Sequence, residues 1–245
     1  MIIYEGPSLL DGQQIVVIAT GMKAKSSNGK TGGMIQTWIL LRDIDPREAN
    51  KSGADYAICG SCPHRGKATT ALDKVLAVER TCYVILFQAP LNVWKTYHRG
   101  SYDRAVDSEA IASVGKDRKV RLGSYGDPAA VPAYVWQALL SKSAGRTGYS
   151  HQSGLANADF VADIMMVSAD NLAMAQSAWA KGQRTFRVID DMANMTANEV
   201  LCPASEEAGR RTNCENCGLC AGSSIKAKSI AIVAHGNGAK YATTT

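Results

Sequence analysis

Long apolar runs are missing from this 245-residue sequence. Stretches such as 15–19 and 83–87 are far shorter than the roughly 18 residues that a membrane-spanning helix needs. No basic segment leads into an apolar one after Met1, so the sequence predicts no signal peptide and a cytosolic protein. No internal repeat and no linker separates one part from another. A single domain over 1–245, ending in a small, polar and mobile tail at 236–245, is the expectation. The four histidines never form a His-x-His pair, and no Ser/His/Asp or Cys/His nucleophile spacing can be read, which excludes a relaxase-type or zinc-hydrolase motif. Acidic residues are absent from 21–33, which carries Lys23, Lys25 and Lys30.

What the chain does contain is an ordinary globular composition, 46% hydrophobic and 20% charged, enough to build a core. The 27 basic and 22 acidic residues leave a net charge of +5. That is compatible with a nucleic-acid partner and does not demonstrate one. Gly29-Lys30-Thr31 has part of a phosphate-loop pattern, but Ala24 stands where its first glycine should be, and a strand follows where a helix should. A basic loop touching a phosphodiester backbone is the better functional reading, and a solvated loop the simpler one.

Short β-rich runs at 119–122, 147–150, 164–168, 184–189 and 229–233 alternate with helical patterns, which implies parallel pairing. Val131, Val135, Ala138 and Leu139 share one helix face after Pro132, and Leu172, Ala175 and Trp179 share another after Asp170-Asn171. Further strands are read at 15–19, 35–41 and 82–87, and a helix through Pro90, Val93, Trp94 and Tyr97. About eight strands match a (β/α)8 TIM-like barrel of near-minimal length, with an open doubly wound sheet as the alternative. Polar side chains collect after the strands: Tyr125 and Asp127, His151 and Gln152, Asp170 and Asn171, Asp190, Cys202 and His235. Carboxyl ends of parallel strands are where sites form, although turn and cap chemistry alone asks for the same residue types.

Seven cysteines, an odd number in a chain read as cytosolic, argue for metal ligation over disulfides. Cys214-x2-Cys217-x2-Cys220 puts three thiols in one tight loop, with Cys202 or His235 as the fourth ligand. The spacing fits structural zinc, and it also fits a 4Fe-4S cluster, in which such a run is completed by a distant Cys-Pro such as Cys202-Pro203. A second set, Cys59, Cys62 and Cys82 with His64 or His98, is less complete. The two metal-binding loops are thus expected at 59–82 and 202–220.

In the order Cys59-Gly-Ser-Cys-Pro-His-Arg, Cys82-Tyr-Val, Arg121-Leu-Gly-Ser-Tyr-Gly-Asp-Pro, Ser168-Ala-Asp, Cys202-Pro and Cys214-Glu-Asn-Cys-Gly-Leu-Cys, the chain resembles a family of phage and mobile-element proteins. That family is similar in layout to the guanine transglycosylases, including phage enzymes that exchange guanine in DNA for a 7-deazaguanine and so evade restriction. The resemblance implies a TIM-type barrel, structural zinc and aspartate catalysis, with DNA and a small deazapurine as partners. Asp127, Asp170 and Asp190 are the eligible aspartates. Tyr125, His151, Gln152 and Asn171 would line the base pocket, and Lys23, Lys25, Lys30 and Arg65 would hold phosphates. The departures are that the transglycosylase zinc motif begins Cys-x-Cys-x2-Cys and ends in histidine. An iron-sulfur redox or radical enzyme, and a non-enzymatic DNA-binding or host-takeover module, are the alternatives.

Overall fold

The computed structural model describes residues 1–22, 29–152, 158–209 and 211–235, with backbone alone at 158 and 159. Lys23, Lys25 and the tail at 236–245 lie outside the described residues.

Nine strands form one sheet: β1 (Ile2–Pro7), β2 (Gln14–Thr20), β3 (Ile35–Leu41), β4 (Lys119–Tyr125), β5 (Gly145–Ser150), β6 (Met166–Ala169), β7 (Thr185–Ile189), β8 (Glu199–Leu201) and β9 (Ser229–Val233). Eight helices accompany them: α1 (Pro46–Ser52), α2 (Tyr56–Cys59), α3 (Ala89–His98), α4 (Ser108–Gly115), α5 (Ala133–Leu140), α6 (Ala158–Ile164), α7 (Leu172–Ala180) and α8 (Cys214–Cys217). Helix starts follow side-chain chemistry. Asp45, Asp107, Asn171 and Asn213 each accept a backbone N–H of the first turn, satisfying donors the helix itself cannot pair. Among the described residues no helix is long and apolar enough to cross a membrane.

The strand order is β1-β2-β3-β4-β5-β6-β7-β9-β8. The first three strands are an antiparallel meander, and every later pairing is parallel. Ile15 to Ala19 of β2 are wholly buried, which explains a continuous apolar run where a half-exposed strand would alternate. From β3 to β7 the order advances one strand at a time in one direction. Right-handed crossovers then put successive helices on the same face, and α4 and α5, which flank β4, do pack together.

That one-way order is shared with a barrel, but the sheet is not closed: β1 and β8 are its edges. The expected TIM-like barrel is therefore not what the described residues form, and neither is the mid-sheet reversal of a doubly wound sheet. The reason lies in two segments, 60–88 and 202–228, where further βα units could have stood. They carry six of the seven cysteines in mostly irregular backbone instead, interrupted by short helical turns at Pro63–Arg65 and α8. The strand expected at 82–87 falls in the first of these and does not form. Leu86 is buried while Tyr83, Ile85 and Phe87 are exposed, so the alternation reflects a rim packed over the sheet.

Candidate metal centres in a strand-end cavity

The face of the parallel sheet left free by the helices lines a cavity of about 450 Å³. Alternate residues of several strands line it, as the two-residue period of a strand allows: Gln36 and Trp38 of β3, Thr147 and Tyr149 of β5, Phe186 and Val188 of β7, Ile230 and Ile232 of β9. The two cysteine segments fold over this face, and six of the seven cysteines line the cavity, Cys59 excepted.

At one end, Asp170 follows β6 and His151 follows β5, while His64 comes from the 60–88 segment. One ring nitrogen each of His64 and His151 and an Asp170 carboxylate oxygen lie within 4.8 Å of one another. Asp170 Oδ1 is 3.0 Å from His151 Nε2 and 4.0 Å from His64 Nε2. Among the described residues this is the one set of three or more Cys, His, Asp or Glu donors so closely placed. Cys62 Sγ stands 4.0 Å from the same His151 nitrogen. Because Cys62 and Asp170 both approach Nε2, the arrangement is no proton relay through the ring. It is a convergence of donors on a common point.

The surroundings fix these rings. His64 Nδ1 is 2.7 Å from Thr81 Oγ1, and the His64 carbonyl accepts from the backbone of Thr81 and Cys82. Burial lowers the pKa of His64 below its ordinary 6.5, assisted by the neighbouring His151. Burial also opposes a charge on His151, but Cys62 and Asp170 outweigh it and hold that ring well above 6.5.

Several sequence candidates support this end without entering it. Asp127 is buried outside the cavity lining, accepting from Ala129 N–H, Ser150 Oγ–H and His151 N–H at 2.8–3.0 Å. It caps the turn at Pro128–Ala130 and anchors His151. Gln152 donates to Cys59 O and lies against Gly60, where a Cβ would sit 2.4 Å from its Oε1, so this knuckle turn needs glycine. Arg65 is expected on phosphate, yet its guanidinium turns inward to Asp55, with further bonds to Gly53 O and Gly60 O. Its commitment is structural. Tyr125 is buried with its hydroxyl unpaired, and burial then Cys59 push its pKa well above 10.0. Asn171 caps α7, and Asp190, whose carboxylate accepts from Asn194, lies outside the cavity lining. Of the three aspartates only Asp170 lines the cavity.

At the other end, Cys202, Cys214, Cys217 and Cys220 line the same cavity. Cys214 and Cys217 are the first and last residues of α8, which Gly218 ends in the left-handed conformation at φ 66°. Backbone bonds set the framework: Cys214 N–H to Lys30 O, Gly148 N–H to Cys220 O and Cys202 N–H to Ala231 O. Lys30 and Arg121 also line this space. Arg121, nearly buried in the sheet, donates to Tyr83 Oη and lies over the Tyr149 ring, with no carboxylate within 4.0 Å among the described residues. Sequence reasoning missed Arg121, since a lone arginine in a strand carries no signal of its own.

Comparison with known proteins finds no matching family model, no matching curated protein and no matching solved structure.

Proposed function

We propose that the protein is a metal-dependent enzyme acting on a purine-type base held in the strand-end cavity. The observation that carries this reading is the convergence of His64, His151 and Asp170, whose ligand atoms lie within 4.8 Å of one another on the cavity wall. Two imidazoles and a carboxylate form a donor set for zinc or a related divalent ion, and a hydroxyl held against one ring nitrogen, as Thr81 Oγ1 is against His64 Nδ1, orients a ligating imidazole. An ion held there would supply Lewis acidity.

The remaining chemistry belongs to the chain. Trp38, Tyr149 and Phe186 offer aromatic faces to a flat heterocycle, and Arg121 supplies a fixed positive charge for a carbonyl edge or an anionic group. The cavity volume lies in the range of small-molecule sites, roughly 300–1,000 Å³. The resemblance set out above supplies the finer reading: guanine in DNA is the base and a 7-deazaguanine its replacement.

The test is metal analysis together with nucleoside digests. Wild-type protein is expected to hold one divalent ion at this end, and DNA from expressing cells supplied with a deazaguanine is expected to contain the altered nucleoside. His151→Ala should lose both. Metal-free protein that leaves DNA unaltered defeats the proposal.

One observation favours a second reading, metal-independent base exchange. Asp170 is the one eligible aspartate on the cavity wall, and it could itself attack the sugar C1′ carbon as guanine departs. Exchange that survives chelation and disappears in Asp170→Ala would select this reading.

A further inference from the structure

The four-cysteine end invites a separate question, because the zinc implied by the resemblance can be tested against spacing. A tetrahedral site with Zn–S bonds of about 2.3 Å draws its thiolates to about 3.8 Å from one another. No three of Cys202, Cys214, Cys217 and Cys220 lie within even 4.8 Å of one another. They nonetheless line one cavity. Thiols that face one cavity and stand too far apart for a single ion fit a larger occupant. A cluster interposes its own iron and sulfide atoms between the thiolates and so requires wider spacing than zinc.

We propose that Cys202, Cys214, Cys217 and Cys220 ligate a 4Fe-4S cluster at the cavity wall. The ligand spacing is that of such clusters, a Cys-x2-Cys-x2-Cys run with a distant Cys-Pro. The fourth ligand is Cys202. His235, the competitor, has Nδ1 3.0 Å from Val233 O and Nε2 3.4 Å from Lys30 Nζ, so both ring nitrogens already face partners within the chain. The charge balance agrees: four thiolates around a cluster leave the assembly anionic, and Arg121 and Lys30 face the same space.

This site is independent of the His64, His151 and Asp170 centre, and its test reads a different signal. Protein purified anaerobically, or reconstituted with ferrous iron and sulfide, is expected to carry about four iron and four sulfide per chain and broad visible absorbance. It should also give a paramagnetic signal on reduction. Cys217→Ser and Cys202→Ser should each lose at least half of that absorbance. Cys82→Ser, which removes a thiol from the opposite segment, should keep all of it and serves as the control for folding. A colourless protein that binds one zinc and takes up no sulfide overturns the proposal, as does Cys202→Ser with undiminished absorbance. His151→Ala is expected to leave the absorbance intact, so failure here and failure of the divalent centre are separable.

Discussion

The two ends of the cavity solve the same problem with different materials. The His64 end mixes imidazole, carboxylate and thiol, and it rests on Arg65 paired with the buried Asp55. The Cys214 end presents four thiols beside Lys30, Arg121 and His235. Its ion pair lies in the sheet below, where Arg187 grips Glu199 in a bidentate contact, while Arg184 donates to the carbonyls of Leu219, Gly222, Ala227 and Lys228. Mixed donors 3–4 Å apart suit one divalent ion, whereas spread thiols suit a polynuclear group. The half-buried Arg65 and the buried Arg184 therefore hold the two cysteine-bearing segments in place, and the donor chemistry these carry divides the cavity into unlike halves.

The largest expected effect is a crossed loss. His151→Ala should remove the divalent ion and leave the visible chromophore, while Cys217→Ser does the reverse; metal analysis and absorbance on both variants would break the comparison if either lost both. Next come the supporting pairs. Arg65→Met and Arg187→Met each leave a buried carboxylate without its partner and should cost about 3–5 kcal/mol in denaturant unfolding. A pH profile sharpens the second. Burial opposes the Glu199 charge, but bonds from Arg187 and Thr196 prevail and its pKa lies below the ordinary 4.5. Its contribution is thus present above 4.5 and fades as pH falls through the folded-state value, so Glu199→Gln should flatten the acid limb of the Tm profile. Thr81→Val should weaken divalent binding about 10–100-fold without moving the chromophore. Asp107→Ala, loss of the α4 cap outside the cavity lining, should cost about 1 kcal/mol and change neither metal.

Much of the scaffold is legible in the sequence because it is local. β3 and β9 fall on the expected residues, and Pro132 and Asn171 stand at the helix starts where capping chemistry asks for them. The cysteine segments stand out by their spacing alone, and six of the seven thiols do line one cavity. What spacing could not supply is which donors meet. Cys62 and His151 are 89 residues apart, and their approach depends on β5 lying beneath a segment that has no periodicity to read. The same ignorance of tertiary placement made Asp127 look equal to Asp170. Both follow strands, but one turns inward to Ser150 and the other faces the cavity. Closure was overread for a related reason: a count of strands says nothing of whether the last one meets the first.

One join between distant parts of the chain bears on how the protein is made. The carboxylate of Glu215, inside α8, accepts from Gly33 N–H 182 residues away, and Gly32 at φ 68° lies so close that a Cβ would strike the Glu215 side chain. Lys119 at the head of β4 also donates to the Glu215 carbonyl. These contacts join the α8 thiols to the chain that leads into the first strands, across most of the sequence. Contacts of such sequence separation form slowly. For the cluster proposed above, the rate at which colour develops during refolding would therefore time the arrival of the C-terminal segment.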